Sequence, residues 1–284
     1  MGMVDRVLDH GVRVQAWTFD EFYGRDTAFL DGLEQRGQVF VGEVPTNFHG
    51  WVIQPRVLRD GPSPRRGCKK KYPRLARSRP SSAVQNLLRY SPVFRKQRWQ
   101  RYRIKDTERG PEVWEVKWAV FWRKGSSGLP GRRHCLVVAR NVLTNEVKYF
   151  VSNRVPGQHG ITLRRLLRVA FQRWSVESCF RQAKVSHLFC AQMRQKFEAA
   201  TSRDDQLEHL TTEQVRRAMN AWLESAAGRL IRAERLEKEL AIQQYYQHRN
   251  AQARRSHTRT RKARLQSLGI DVERIKSCIP QSPL

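Results

Sequence analysis

The fold is predicted from a stretch near the start of the chain, Val12-Arg13-Val14-Gln15-Ala16-Trp17-Thr18-Phe19-Asp20. Apolar and polar residues alternate in this stretch, which predicts a β-strand that ends at Asp20. A turn around Gly24, a helical run closed by Gly37 and a second strand over 38–44 follow. The order strand, helix, strand predicts an α/β domain, and such folds place their chemistry at the carboxyl ends of strands. Asp20 is therefore a candidate site acid or the cap of the next helix.

Charge is the second signal. The 284 residues include 54 Lys and Arg but only 26 Asp and Glu, which gives a formal charge of +28. Such an excess predicts a polyanionic partner, most often nucleic acid. No apolar run of about 18 residues is present, so a membrane partner is not expected. Five scattered cysteines without a CxxC pair indicate a reducing, cytoplasmic setting.

Half of the excess charge lies in residues 65–109, which hold sixteen Lys or Arg against two acids. Within this segment, the run Lys69, Lys70 and Lys71 predicts contact with phosphates. The alternative is a solvated basic loop. Interleaved aromatic side chains would stack on bases or sugars; they are Tyr72, Tyr90, Phe94, Trp99 and Tyr102.

The rest of the chain divides into strands and then helices. Alternating and then apolar residues predict three antiparallel strands over 113–122, 134–140 and 147–151. Helical spacing predicts a long helix from about Thr162, which buries one side. Past Ser202 the pattern is helical and polar, and it ends in a segment rich in arginine.

Four charged residues share one face of the helix that starts at about Thr162. Arg173, Glu177 and Arg181 are four residues apart, and Lys184 lies two turns beyond Glu177. The set is either a surface ladder worth about 0.3–0.5 kcal/mol per ion pair, or a metal-binding acid with phosphate-binding cations beside it. The distance between the Asp20 and Glu177 carboxylates discriminates between these interpretations.

The spacing Arg173-x3-Glu177-x6-Lys184 resembles the C-terminal signature of the DDE-type transposases of bacterial insertion sequences, within the insertion-sequence-four superfamily. That signature is Tyr-x2-Arg-x3-Glu-x6-Lys, and here its tyrosine position is Ala170, with Phe171 beside it supplying only packing. Upstream, Thr18-Phe19-Asp20-Glu21-Phe22-Tyr23-Gly24-Arg25 resembles the strand-end motif that holds the second catalytic aspartate of these enzymes.

The resemblance implies a ribonuclease H-like core in which three carboxylates hold two Mg²⁺ ions. Asp20 and Glu177 would be catalytic, metal-binding acids. DNA phosphates would be bound by Arg173, Arg181 and Lys184. The implied reaction is DNA cleavage and strand transfer, with transposon ends as the DNA partner, a homodimer as the assembly, and the bacterial, nucleoid-associated cytoplasm as the location.

Four segments are predicted from this resemblance. They are 1–54, the first part of the core with the second acid; 55–135, a basic β-rich insertion; 136–200, the return to the core with the glutamate helix; and 201–284, a helical basic tail. The first aspartate of the family lies well upstream of the second, yet this sequence starts nineteen residues before Asp20. The chain is therefore predicted to be the C-terminal part of a longer transposase, with an incomplete core, and inactive alone. A non-catalytic DNA-binding remnant or regulator is the alternative.

Overall fold

The computed structural model describes residues 1–58, 72–76, 80–158, 160–172, 214, 217 and 229–279, with the backbone alone for 229–236 and for 239. The chain splits into two compact units. The first contains 1–105, 112–173 and 273–284, and the second contains 106–111 and 174–272.

The first unit is a mixed α/β structure, as the sequence predicted. Its helices are α1 Gly2–Asp9, α2 Glu21–Gly24, α3 Thr27–Gln35, α4 Val84–Tyr90, α5 Pro92–Arg95 and α6, described over 163–172. The strands are β1 Val41–Val44, β2 His49–Trp51, β3 Val57–Leu58, β4 Arg74–Leu75, β5 Ser82–Ala83, β6 Gln100–Thr107, β7 Gly110–Lys124, β8 Pro130–Asn141, β9 Val147–Ser152 and β10 Lys276–Ser277.

Within the described residues, eight of these strands form one sheet in the order β1-β9-β8-β7-β2-β5, with β6 beside β7 and β10 beside β6. The pairs along the main path are antiparallel, whereas β6 and β10 run parallel, so the sheet is mixed. The three antiparallel strands predicted over 113–151 are confirmed as β7, β8 and β9. A separate two-stranded sheet pairs β3 with β4.

Alternation along β8 builds a core on each face of the sheet. Leu136 and Val138 pack in a cluster with residues of α1, α3, α4 and α5. Val137 and Ala139 point the other way, into a second cluster that contains the buried side of α6. The predicted apolar stripe of α6 is thus confirmed over its described residues.

The strand predicted over 12–19 is wrong for most of its length. Only Trp17 forms a bridge, a parallel one with Phe40. The left-handed Gly11, at φ 70°, turns the chain out of α1, and the amide of Val12 still donates to the Val7 carbonyl at 3.3 Å. Residues 12–16 therefore form the connection that leaves α1, and no strand of the described structure pairs with them.

A short βαβ arrangement nevertheless remains. The Trp17 amide donates to Val39 at 2.8 Å, Val41 donates to Trp17 at 2.9 Å, and Glu43 donates to Phe19 at 3.0 Å. The Trp17–Phe19 segment thus runs parallel to the start of β1, with α2 and α3 between them in sequence. The prediction of a strand, a helix and a strand holds in this reduced form.

The division into four segments remains a proposal. Strand β8 runs through its boundary at residues 135 and 136 without interruption. A boundary between folded segments placed inside a paired strand would divide a single hydrogen-bonded ladder.

The second unit is described chiefly by α7, a helix of 39 residues over Arg229–Ser267. The tip of the β6–β7 hairpin packs on it, because Arg261 donates to the Thr107 hydroxyl at 3.4 Å. A Cβ at Gly110 would lie 3.0 Å from the Thr258 Cα. No helix in the described part of the chain is both long enough and apolar enough to cross a bilayer.

Candidate functional site

Asp20 lies directly after the Trp17–Phe19 segment and is the N-cap of α2. Its Oδ1 accepts a hydrogen bond from the Tyr23 amide at 3.3 Å. The residue is half-buried, and no other hydrogen bond or ion pair of its carboxylate is found among the described residues. Asp20 therefore caps a helix with one oxygen, as the sequence allowed, and leaves the other oxygen for a ligand.

Two glycines allow the Asp20 segment to pack closely on β1. A Cβ at Gly24 would lie 1.8 Å from the carbonyl oxygen of Glu43, and a Cβ at Gly42 would lie 1.8 Å from the Phe19 ring. Any side chain at either position would push α2 or the preceding segment away from β1. The position of Asp20 is thus fixed by backbone contact as well as by its cap.

The other predicted site residues lie outside the described residues. These are Glu177, Arg173, Arg181, Lys184 and the run Lys69, Lys70 and Lys71. The separation between the Asp20 and Glu177 carboxylates therefore stays a prediction, as does the role of each of these residues.

Asp20 alone would supply only part of a metal site. A carboxylate oxygen is the kind of donor that Mg²⁺ prefers, so the chemistry of this residue fits. However, the described residues contain no group of three or more His, Cys, Asp or Glu side chains that could hold an ion. The remaining ligands would have to come from elsewhere in the sequence, with Glu177 as the predicted one.

Ala170, which the resemblance places at the position of the signature tyrosine, packs against the sheet. Ala170 is buried in the second cluster, and the neighbouring Phe171 ring lies 4.9 Å from the Trp114 ring and 5.4 Å from the Phe150 ring. Phe171 therefore contributes packing to α6. How this relates to the signature tyrosine stays a prediction.

A buried charge cluster, which no sequence pattern indicated, joins α3 to the sheet. His134 is completely buried, and its Nε2 lies 2.5 Å from the Glu34 carboxylate while its Nδ1 lies 2.8 Å from the Arg132 carbonyl. Both ring nitrogens thus lie beside oxygen atoms that can accept a hydrogen bond. Arg123, whose side chain is 2% exposed, pairs with Asp31 and Glu34.

The described part of the basic tail is a candidate nucleic-acid interface. Residues 241–270 contain seven Lys or Arg and no Asp or Glu, and 241–267 of them belong to α7. Buried Ala251 and Leu265 mark the packed side of this helix. Exposed cations along the helix are Arg249, Arg255, Arg259 and Arg264.

Comparison with known proteins gives one finding for the first part of the chain. Residues 1–111 match the family model described as DDE superfamily endonuclease. No curated protein matches the chain. The matched segment contains Asp20, α1 to α5 and the first strands of the sheet. The match supports a DDE transposase-like nuclease family, and the insertion-sequence-four assignment remains a resemblance.

Proposed function

We propose that this chain acts in DNA cleavage and strand transfer as a transposase of the DDE type, with Asp20 and Glu177 as its metal-binding acids. One observation carries the proposal. Within the segment that matches DDE superfamily endonucleases, Asp20 follows the residues that pair in parallel with β1 and has one carboxylate oxygen outside its capping hydrogen bond. That is the location at which α/β folds place a reacting group.

The divalent ions typical of this superfamily, such as Mg²⁺, would activate the attacking water or 3′-hydroxyl and would stabilise the leaving oxygen. The residues of the chain have separate tasks. Asp20 is held in place by the Tyr23 amide and presents its second oxygen. DNA phosphates beside the acids are bound by Arg173, Arg181 and Lys184, and the Lys69–Lys71 run grips the transposon ends.

Only two of the three acids of the DDE set are assigned to residues of this sequence. Two carboxylates do not complete a two-ion site. We therefore propose that residues 1–284 bind DNA and metal ions but show little or no cleavage by themselves. Pairing of two chains on two transposon ends is part of the same proposal.

Binding of Mn²⁺, measured by electron paramagnetic resonance on the DNA-bound chain, tests the assignment. Asp20→Asn and Glu177→Gln should each weaken Mn²⁺ binding by more than about a hundredfold, because loss of a direct ligand exceeds the effect of a supporting residue. Asp26→Asn is the matched control, since Asp26 caps α3 by accepting from the Ala28 and Phe29 amides and asparagine caps equally well. Equal Mn²⁺ affinity in Asp20→Asn and Asp26→Asn would remove Asp20 from the site.

A non-catalytic DNA-binding protein is the second candidate, and the seven cations of 241–270 without an acid favour it. The Mn²⁺ affinity of the DNA-bound chain separates the two, because residues 1–284 are not expected to cleave DNA by themselves. Weaker Mn²⁺ binding in Glu177→Gln supports the transposase. Tight DNA binding together with wild-type Mn²⁺ affinity in both acid variants supports the regulator.

A further inference from the structure

A cavity of about 250 Å³ lies between the start of α3, the β1–β2 loop and the β7–β8 turn. Three of its lining side chains carry or can carry positive charge, namely Arg25, His49 and Lys124, and none of its lining residues is acidic. Asn47 and Ser126 add polar groups. This set of residues is called the cationic cavity below.

Two cations of this cavity, Arg25 and Lys124, differ from the ion-paired cations of the first unit. Arg36, Arg123 and Lys148 each have a carboxylate partner. Among the described residues, neither Arg25 nor Lys124 forms an ion pair. Within the described part of the chain, the charge of these two side chains is therefore not neutralised by a carboxylate.

Two carboxylates near the cavity in sequence are already engaged. Asp26 accepts hydrogen bonds from the amides of Ala28 and Phe29. Asp31, one turn along α3 from Thr27, pairs with Arg123. An anion entering the cavity would thus meet three groups that carry or can carry positive charge and no acidic lining residue.

The wall of the cavity on the β7–β8 side is held in place by the backbone. The Gly125 amide donates to the Leu129 carbonyl at 2.8 Å, and the Gly128 amide donates to the Gly125 carbonyl at 2.9 Å. Across from this turn, His49 lies within hydrogen-bonding distance of the Ser81 hydroxyl, at 3.4 Å. The turn and His49 are therefore held in place, and the exposed Arg25 and Lys124 side chains line the same cavity.

Next to the cavity, α2 exposes two aromatic rings. Phe22 is 60% exposed and Tyr23 is 46% exposed, and the two rings meet edge to face at 5.3 Å. The Arg25 guanidinium lies 4.8 Å from the centre of the Phe22 ring, so one residue connects the aromatic pair to the cationic cavity. Asp20, whose carboxylate accepts from the Tyr23 amide, begins the same short helix.

We propose that the cationic cavity binds a backbone phosphate of a DNA strand and that Phe22 and Tyr23 stack on an adjacent unstacked base. Cations set beside exposed aromatic rings are the means by which proteins hold single-stranded nucleic acid. This proposal assigns a subsite for the DNA of the proposed function, and it rests on that function. The subsite would hold the strand close to the Asp20 carboxylate, because Asp20 caps the helix that carries Phe22 and Tyr23.

The test measures binding of a single-stranded oligonucleotide to the full chain in EDTA, where the metal site does not contribute. Arg25→Gln with Lys124→Gln should reduce the slope of log affinity against log salt by about 0.7 for each phosphate that is no longer neutralised. Arg6→Gln with Arg13→Gln removes the same charge from exposed positions and should leave the affinity almost unchanged. Equal reductions in affinity in the two pairs would overturn the phosphate site.

A 2-aminopurine base in the oligonucleotide reports the stacking. Its fluorescence should be quenched on binding to the wild type and restored in Phe22→Ser with Tyr23→Ser, with a loss of affinity of about 5- to 100-fold. Quenching as strong as in the wild type in this variant would overturn the proposal that Phe22 and Tyr23 stack on a base. Inorganic phosphate at constant ionic strength should compete poorly, and full competition would assign the cavity to free phosphate instead. The six substituted side chains are all exposed, and thermal melts of each variant check the fold.

Failure of the phosphate and base subsite is distinguishable from failure of the proposed function. Loss of the subsite would leave the Mn²⁺ affinity of the DNA-bound chain dependent on Asp20. Conversely, Asp20→Asn leaves every residue of the cationic cavity in place and should retain binding in EDTA.

Discussion

At the scale of single residues, Glu34 sets how stability responds to acid. Burial alone raises the pKa of Glu34, but the hydrogen bond from His134 and the charges of His134, Arg123 and Arg132 outweigh it and hold the pKa below its ordinary value of 4.5. A carboxyl with a depressed folded-state pKa contributes stability above its unfolded pKa and loses it as the pH falls through the folded pKa. We expect the free energy of unfolding to fall on acidification below about pH 5.

Urea unfolding of Glu34→Gln between pH 3 and pH 7 checks this expectation. At pH 7 the variant should lose about 3–5 kcal/mol, because the buried Arg123 then keeps only the half-exposed Asp31 as an anionic partner. Its dependence on pH should also be flatter than that of the wild type. Asp9→Asn, at an exposed carboxylate, is the control and should keep the wild-type curve. A Glu34→Gln curve parallel to the wild-type curve would contradict the assignment.

The same residues show what a local interpretation of sequence can find. Asp20 could be singled out because its setting is local, a short apolar stretch followed by a helix start. Glu34 and His134 are 100 positions apart, and neither stands in a pattern that names the other. Their pairing depends on how α3 lies across β7 and β8, which periodicity does not specify.

At the scale of elements, the packing of α2 on β1 depends on Gly24. The neighbouring atom is a backbone oxygen, that of Glu43, which cannot rotate away as a side chain would. Gly24→Ala should therefore lower the free energy of unfolding by about 1–3 kcal/mol and should weaken Mn²⁺ binding by displacing Asp20. A thermal melt compares it with Gly2→Ala, where an added Cβ meets nothing within 4 Å. Equal melting temperatures in the two variants would show that α2 does not pack as described.

Prediction of elements succeeded where each pattern was supported by pairing. The strands of 113–151 alternate, and each has partners on the described sheet. Residues 12–16 also alternate, but they leave α1 through Gly11 and meet no strand until Trp17. Alternation predicts which side chains can share a face. A strand also needs a neighbouring strand to pair with, and that neighbour is determined by the tertiary structure.

At the scale of the whole molecule, the charge of +28 predicts strongly salt-dependent binding to duplex DNA. The slope of log affinity against log salt should be steep, because each neutralised phosphate releases counterions. Arg259→Gln with Arg264→Gln on α7 should reduce the slope by about 0.9 for each phosphate that these arginines neutralise. The pair Arg6→Gln and Arg13→Gln controls for net charge. Fluorescence anisotropy at several salt concentrations makes the measurement, and an unchanged slope would exclude α7 from the interface.

Composition predicted the polyanionic partner without any structure, since net charge does not depend on the fold. It could not locate the cationic cavity. Arg25, His49 and Lys124 come from three separate elements, and only one of them lies in the motif around Asp20. The four-segment division likewise followed the order of motifs along the chain, whereas the sheet joins β1 to β9 and β6 to β10 across those segments.

The parallel pairing of β10 with β6 has a consequence for biosynthesis. Lys276 lies opposite Tyr102, and Cys278, which is 1% exposed and belongs to the second cluster, donates its amide to the Arg103 carbonyl at 2.8 Å. Synthesis must therefore reach residue 278 before this edge of the sheet can close. Products that end before residue 276 would expose the apolar side chains that Cys278 covers, and cellular proteases would remove them in preference to chains that contain β10.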